Sequence, residues 1–147
     1  MFTGRTAHNL DTKGRIAIPT RAREKLVASC EGRVVLTQHP WDNCLALYPE
    51  PRWEEIAQTV ANLSDADKSV RYLKRRFLGQ AVELELDASG RILIPGELRS
   101  LVGLDKKAML VGQVHRFEIW ADSVWEAEQS APEPMDVMPD SVKSLAF

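Results

Sequence analysis

The sequence has few cysteines and no long apolar segment, and both absences limit the kind of protein it can be. Only Cys30 and Cys44 occur among the 147 residues, too few for the disulfide framework that holds many small secreted domains together. No apolar run approaches the roughly 18 residues that a membrane-spanning helix needs, and the first residues lack the apolar centre of a secretory signal. We therefore expect a cytoplasmic protein with reduced, buried thiols and no membrane contact.

Catalytic and cofactor-binding patterns are also missing. His8, His39 and His115 are scattered without the spacing of a metal site, and no phosphate-binding loop, Gly-rich dinucleotide fingerprint or nucleophile elbow occurs. The sequence thus predicts no enzyme, no metal, no cofactor and no small-molecule substrate. An enzyme would have to use Asp11 and Asp87 as paired carboxylates in a polar pocket, whereas both residues also fit the simpler role of capping a turn.

An internal repeat is the main feature that the sequence does have. The segment LDTKGRIAIP, residues 10–19, returns 76 residues later as LDASGRILIP, residues 86–95, with seven of the ten positions identical. Arg23 and Arg99 are related by the same offset, and further on CLALYPEPRWEE aligns with RFEIWADSVWEA. A repeat of this kind indicates two copies of one structural unit.

Each copy of the repeated segment predicts a β-hairpin. Apolar and polar residues alternate beside an Asp-x-x-Gly turn in both copies. In these turns Gly14 and Gly90 supply a positive φ, while Asp11 and Asp87 accept hydrogen bonds from the backbone two residues on. Two further strands and two helices follow in each copy, in the order strand, strand, helix, strand, strand, helix. We therefore predict an α+β fold.

A helix is predicted between the two units. Ser64 is its expected N-cap, and the basic segment 71–76 complements the helix dipole at the other end. Such a basic end is more typical of a solvated helix terminus than of a DNA contact. The predicted division of the chain is a first unit (1–63), a linking helix (64–79), a second unit (80–129) and a flexible acidic tail with several prolines (130–147).

An arginine follows the glycine of each turn, although the turn itself needs only the aspartate and the glycine. One interpretation is structural: Arg15 and Arg91 each form an ion pair with the aspartate of the same turn, which contributes at most about 1 kcal/mol at an exposed site. The other is functional, because a two-stranded β-ribbon fits the major groove of DNA and arginine paired with guanine is the commonest specific contact there. The residues alone leave both interpretations open.

The charge distribution favours the first turn as the DNA reader. The whole chain has a net charge of −2, yet residues 1–25 hold six Lys or Arg against two acids. The second turn has Ser89 in place of Lys13 and glutamates around it. Because phosphate contacts supply much of the affinity for DNA, we predict that Arg15 reads bases in the first turn. The predicted DNA-binding residues are Arg15, Lys13, Arg5 and Thr12, with Arg91 in an auxiliary role.

Most of the chain resembles one bacterial protein family. The segments FTGRTAHNLDTKGRIAIPTRAREKL, LDASGRILIPGELRSLVGL and VGQVHRFEIWADSVWE are similar to the MraZ family, and the resemblance runs from about Phe2 to Glu128. The repeated unit looks like the AbrB-type, swapped-hairpin DNA-binding element. The resemblance implies two such units in tandem, intertwined into one pseudo-symmetric β-rich barrel with peripheral helices.

The same resemblance implies a function. Members of the MraZ family are transcription factors encoded at the start of the division and cell-wall gene cluster, and they bind G-rich direct repeats in its promoter, so that they regulate their own gene. They are nucleoid-associated and assemble into closed rings. Double-stranded DNA and further copies of the chain are therefore the expected partners. The family motif falls on Asp11, Lys13, Gly14 and Arg15 and again on Asp87, Gly90 and Arg91. A protein-interaction module, like the antitoxin-like relatives of this element, is the alternative.

Overall fold

The computed structural model describes residues 1–132 and 138–146, which form a twice-repeated series of strands and helices. The strands are β1 (Arg5–Asn9), β2 (Arg15–Ala17), β3 (Arg33–Gln38), β4 (Leu45–Pro49), β5 (Val82–Glu85), β6 (Arg91–Leu93), β7 (Lys107–Gly112) and β8 (Phe117–Ala121). The helices are α1 (Thr20–Cys30), α2 (Glu50–Ala61), α3 (Lys68–Phe77), α4 (Gly96–Leu101), α5 (Asp122–Ser130) and α6 (Asp140–Lys143). The predicted α+β class and the order of elements in each unit are confirmed. No helix of the described residues is long and apolar enough to cross a membrane.

Several strands of one half of the chain pair with strands of the other half, while β3–β4 and β7–β8 pair within a half. The main sheet has six antiparallel strands in the order β1-β7-β8-β4-β3-β5, and β2 and β6 form a separate antiparallel ribbon. Strand β1 of the first half pairs with β7 of the second, just as β5 of the second half pairs with β3 of the first. Strands β4 and β8 pair at the centre of the sheet. Neither half therefore contains a complete sheet of its own.

Two expectations about the β-structure are wrong. The strands on either side of each turn do not form a hairpin ladder, because β1 pairs with β7 and β2 pairs with β6. The six-stranded sheet is not closed into a barrel either, since β1 and β5 are its edges and no strand of the described residues joins them. Both differences have one cause. Strands β2 and β6 are three residues long, and their backbone hydrogen bonds pair them with each other. They therefore do not bridge the edge strands β1 and β5 of the main sheet, as closure into a barrel would require.

The sheet has an apolar layer on each face, because successive side chains of a strand point to opposite sides. From β4, Leu47 enters the main core together with Ile16 and Ile92 of the β2–β6 ribbon. Tyr48 faces the other way and packs against Phe77 of α3. The ribbon, α1 and α4 thus cover one face of the sheet, and α2 and α3 cover the other.

The linking helix is shorter than the predicted 64–79 and has a different cap. It begins at Lys68, and the side chain of Asp67 accepts a hydrogen bond from the backbone N–H of Ser69 at 2.9 Å. The hydroxyl of Ser64 accepts instead from the backbone N–H of Ala66 at 3.2 Å. Residues 65–66 form a turn, and Asp67 after them has the extended conformation of an N-cap residue.

The predicted tail, residues 130–147, contains the short helix α6 (Asp140–Lys143), which the lack of periodicity did not indicate. Ser130 belongs to α5 rather than to the tail. Residues 133–137 and 147 lie outside the described residues. Flexibility of the tail stays a prediction.

Both cysteines are free and buried, as predicted. Burial raises the pKa of the Cys44 thiol, and the charges of Glu118 and Asp42 add to the effect. The thiolate is the reactive form, so this shift disfavours reaction of Cys44 in the folded protein.

Lys74 of α3 holds the C-terminal end of α2. Its ammonium donates hydrogen bonds to the carbonyl oxygens of Ala61 at 3.0 Å and Leu63 at 2.8 Å, and it pairs with Asp65 at 2.7 Å. Carbonyls at a helix end have no partner within the helix, so we expect Lys74→Met to lower the free energy of unfolding by about 1–2 kcal/mol. Urea denaturation measures this, with exposed Arg75→Met as the matched control. Normal stability with weakened DNA binding would instead make this helix end a DNA contact.

Candidate nucleic-acid interface

The first turn is built by Asp11 and Gly14. One carboxylate oxygen of Asp11, Oδ1, accepts hydrogen bonds from the backbone N–H groups of Lys13 and Arg15, both at 2.9 Å. The carbonyl oxygen of Asp11 accepts from the backbone N–H of Gly14 at 3.0 Å, and Gly14 has a φ of +89°. A φ in this region favours glycine, so the chain reverses here for the reason that the sequence indicates.

The second turn repeats this geometry. Oδ1 of Asp87 accepts from the backbone N–H groups of Ser89 and Arg91 at 2.9 Å. Gly90 donates to the carbonyl oxygen of Asp87 at 2.9 Å and has a φ of +75°. The identical residues of the two repeats therefore produce identical turns.

Each turn arginine forms an ion pair with the aspartate of its own turn. Nε of Arg15 donates to Oδ2 of Asp11 at 2.6 Å, and Nε of Arg91 donates to Oδ2 of Asp87 at 3.1 Å. This is the arrangement of the structural interpretation, but it leaves the guanidinium free for further contacts. Arginine has five N–H donors, and the side chains of Arg15 and Arg91 are 32% and 34% exposed. The aspartates thus orient the two arginines and leave donors available to a ligand.

The hydrogen bonds within the turns also stabilise the ionised carboxylates. Donation from the backbone N–H of Arg15, followed by its side chain and the N–H of Lys13, lowers the pKa of Asp11 to about 2 against the opposing effect of desolvation. The pKa of Asp87 is lowered too, mainly by the backbone N–H of Arg91. Because the folded-state pKa lies below the unfolded value, this stabilisation is present above about pH 4 and is lost as the pH falls towards 2.

The two turns lie side by side and form one surface. A terminal nitrogen of Arg91 is 3.6 Å from Oδ2 of Asp11, across the two repeats. The backbone N–H of Ile18 donates to the carbonyl oxygen of Gly90 at 3.0 Å, and Ile94 donates to Gly14 at 3.0 Å. The carboxylates within 4 Å of the Arg91 guanidinium, among the described residues, are those of the two turn aspartates. The ion pairs of Arg91 are therefore with the aspartates of both turns, because strand pairing places the first turn beside it.

The ribbon between the turns presents an exposed face that contains both arginines. Ile16 and Ile92 pair across the ribbon and are almost fully buried. Their neighbours in the strands point the opposite way. The outward residues are Arg15, Ala17, Arg91 and Leu93.

Two arginines from helices, which are not among the predicted DNA-binding residues, complete this surface. Arg23 of α1 donates to the carbonyl oxygen of Ser89 at 3.0 Å. A Cβ atom on Gly90 would overlap the Arg23 side chain, and one on Gly14 would lie 2.8 Å from Cζ of Arg99 in α4. Each helix arginine thus lies against the turn of the other repeat. The sequence does contain an indication that these two arginines belong with the turns, because Arg23 and Arg99 are related by the same 76-residue offset as the turns.

We call residues 11–15 and 87–91 together with Arg23 and Arg99 the double-turn surface. Its five basic side chains and two carboxylates have a net charge of +3. Thr12 and Lys13 are exposed at the tip of the first turn. Arg5 lies at the opposite end of β1, roughly 13 Å along the strand from Asn9. The fold therefore does not bring Arg5 to the turns.

The buried residues His39 and Glu118 form, with the exposed Asp42, a cluster that the sequence spacing did not indicate. Nδ1 of His39 accepts hydrogen bonds from the backbone N–H groups of Trp41 at 3.2 Å and Asp42 at 2.9 Å. A neutral imidazole has one acceptor nitrogen, so Nε2 carries the proton and faces Oε2 of Glu118 at 3.3 Å. Nε2 then has no lone pair for a metal ion, and the cluster is a hydrogen-bond network.

Glu118 remains ionised in this network. Burial opposes ionisation, but hydrogen bonds from His39 and Trp120 outweigh it and lower the pKa of Glu118. The Trp120 indole N–H donates to Oε1 at 3.1 Å. Both carboxylate oxygens of Glu118 therefore have partners.

The duplicated unit and the shared double-turn surface define the class of this protein: an α+β protein of two repeats that combine their strands into one sheet and their turns into one surface. Comparison with known proteins identifies the family. The family model described as "MraZ protein, putative antitoxin-like" matches residues 1–76 and 77–138. The chain belongs to the MraZ family.

Curated relatives cover most or all of the chain. One from Alcanivorax borkumensis is 50% identical over 147 residues, which is 100% of both chains. One from Shewanella amazonensis is 51% identical over 132 residues, covering 89% of this chain and 87% of the relative. One from Thioalkalivibrio sulfidiphilus is 50% identical over 125 residues, covering 85% and 83%. All three are named transcriptional regulator MraZ, so the family is one of regulators and not an enzyme class.

Proposed function

We propose that the protein is a sequence-specific DNA-binding transcriptional regulator and that the double-turn surface is its DNA-binding site. The observation that carries the proposal is the convergence of two arginine-bearing turns and two helix arginines on one exposed surface of charge +3. A two-stranded β-ribbon of this kind fits the major groove of DNA. The resemblance to the MraZ family supplies the proposed target, G-rich direct repeats in the promoter of the division and cell-wall gene cluster, which includes its own gene.

In this proposal Arg15 reads bases, and the ion pair with Asp11 assists it. The bond from Nε to the carboxylate holds the side chain in one orientation, so less rotamer entropy is lost when the terminal nitrogens pair with O6 and N7 of a guanine. Lys13 and Thr12 contact phosphates from the tip of the turn. Arg91 assists from the second turn, which carries Ser89 in place of a lysine.

Assembly would strengthen such a site. A closed ring of chains presents several double-turn surfaces, and engagement of several repeats raises the overall affinity through effective concentration. We propose this ring, a cytoplasmic and nucleoid-associated location, and the division of the chain into units 1–63 and 80–129 as parts of the same function. Arg5, which lies away from the turns, then contacts phosphates outside the bases read by Arg15.

Fluorescence anisotropy on a duplex from upstream of the protein's own gene tests the proposal. We expect Arg15→Ala to weaken specific binding by about 5- to 150-fold, the loss of about 1–3 kcal/mol for a bidentate base contact. Lys13→Ala should weaken binding to all sequences alike and reduce the salt slope by about one. Arg75→Ala, an exposed arginine of α3, is the matched control. Unchanged affinity and specificity in Arg15→Ala would refute the role of this surface.

A second candidate function is the binding of a partner protein through the same surface. The family description includes the words "antitoxin-like", and Leu93 is an apolar side chain that is 51% exposed on the outward face of the ribbon. Titration at several salt concentrations separates the two functions, because DNA binding weakens steeply as salt rises. Binding to the duplex that does not depend on salt, or no binding to any G-rich repeat, would favour the partner protein.

A further inference from the structure

A small cavity lies between the sheet and the two helices that cover the face opposite the double-turn surface. Its volume is about 170 Å³. The apolar walls are Tyr48, Ile56, Val60, Leu73 and Phe77, and Arg116 also lines it. Arg116 directly precedes β8, so a rigid central strand fixes its backbone.

One nitrogen of the half-buried Arg116 side chain lacks a hydrogen-bond partner within the described part of the chain. Nε of Arg116 is buried and has no partner among the described residues. An unpaired buried donor is costly, and more so on a charged group. Glu118 follows two residues later in β8, but His39 and Trp120 contact its two carboxylate oxygens. The cavity therefore combines apolar walls with a cation that has hydrogen-bonding capacity to spare.

We propose that this cavity binds a small aromatic carboxylate, whose ring contacts the apolar walls and whose carboxylate pairs with Arg116. The size fits one ring, since an engineered apolar cavity of about 150 Å³ in another protein binds benzene. The charge fits as well, because a carboxylate is the acceptor that a guanidinium binds in bidentate fashion. This ligand site does not depend on the DNA-binding function proposed above, and the sheet separates the two.

Binding of benzoate and of its neutral analogue benzamide to the full-length protein tests the site. Isothermal titration measures both, and tryptophan fluorescence gives a second readout, because Trp41 lines the cavity and is 80% exposed. We expect saturable benzoate binding and an affinity for benzamide that is lower by about tenfold or more, as the loss of a charge-assisted hydrogen bond requires. Arg116→Met should remove this preference, and Arg116→Lys should retain part of it.

Two further variants make the result decisive. Val60→Phe fills the cavity from α2 and should abolish binding of both compounds, while Arg52→Met, an exposed arginine of the same helix, should bind like the wild type. Absence of saturable benzoate binding would overturn the proposal, and so would a benzoate preference that survives in Arg116→Met. Tryptophan fluorescence could instead change with protein concentration while benzoate binding is lost at high protein concentration. That result would overturn the proposal and show that a second copy of the chain occupies the cavity. Should Arg116→Met fail to fold, Val60→Phe and Arg116→Lys answer the same question.

Discussion

Gly90→Ala is expected to lower the free energy of unfolding by about 2–3 kcal/mol. Gly90 has a φ of +75°, a conformation that costs an L-residue about 1–2 kcal/mol. The added Cβ would also overlap the Arg23 side chain. Arg23 must then move and give up its hydrogen bond to Ser89, which contributes roughly a further 0.5–1.5 kcal/mol. Urea denaturation followed by circular dichroism measures the loss.

Gly103→Ala is the matched control for the contribution of strain. Gly103 has a φ of +67°, but a Cβ atom there would meet nothing within 4 Å, so this variant should lose only about 1–2 kcal/mol. The difference between the two variants measures the contact between Arg23 and the second turn. Equal losses would mean that Arg23 does not support the double-turn surface, and Gly90→Ala would then bind DNA normally at a temperature where it is folded.

Phe77→Ala is expected to lower the free energy of unfolding by about 3–5 kcal/mol. Phe77 is 2% exposed and is the fully buried member of α3. Its ring lies 5.1 Å from that of Trp53 and 6.0 Å from that of Tyr48, measured between centroids. Truncation removes these contacts and leaves a void that the surrounding side chains fill only in part. It therefore loosens both helices that cover this face of the sheet.

Thermal and urea denaturation measure this effect, with Tyr72→Ala in the same helix as control. Tyr72 is 58% exposed, so its truncation should change stability by no more than about 0.5 kcal/mol. A loss below about 1 kcal/mol in Phe77→Ala would show that α3 contributes little to the fold, since measured losses for buried phenylalanines are several-fold larger. Because the affected face is opposite the turns, the folded variant should retain DNA affinity.

Local features of the fold could be predicted because neighbouring residues decide them. Asp11 and Gly14 form a turn through hydrogen bonds and a φ value that involve four adjacent residues. The order strand, strand, helix, strand, strand, helix in each repeat is likewise predictable, because alternation and turn residues are local features. The N-cap of α3 was misplaced because several residues can cap a helix, and the turn before Asp67 decided between them.

Pairing between distant segments was harder to predict. Alternation beside a turn indicates strands but does not say which strand each one joins, so a hairpin was expected where β2 pairs with β6. The same ambiguity led to the expectation of a closed barrel. For the same reason the approach of Arg91 to Asp11 was not predicted.

The sequence by itself determined the repeat, the two turns with their arginines and the family, because these depend on residue identity and short spacing. Only the tertiary structure decided that the two turns form one surface, that Arg23 and Arg99 belong to it and that Arg116 lines a cavity on the other face. The reason is physical. Residues more than 60 positions apart, such as Arg23 and Ser89, come together through strand pairing and burial of both faces of the sheet. The free energy of strand pairing and of apolar burial depends on the whole chain, so no single segment of the sequence determines it.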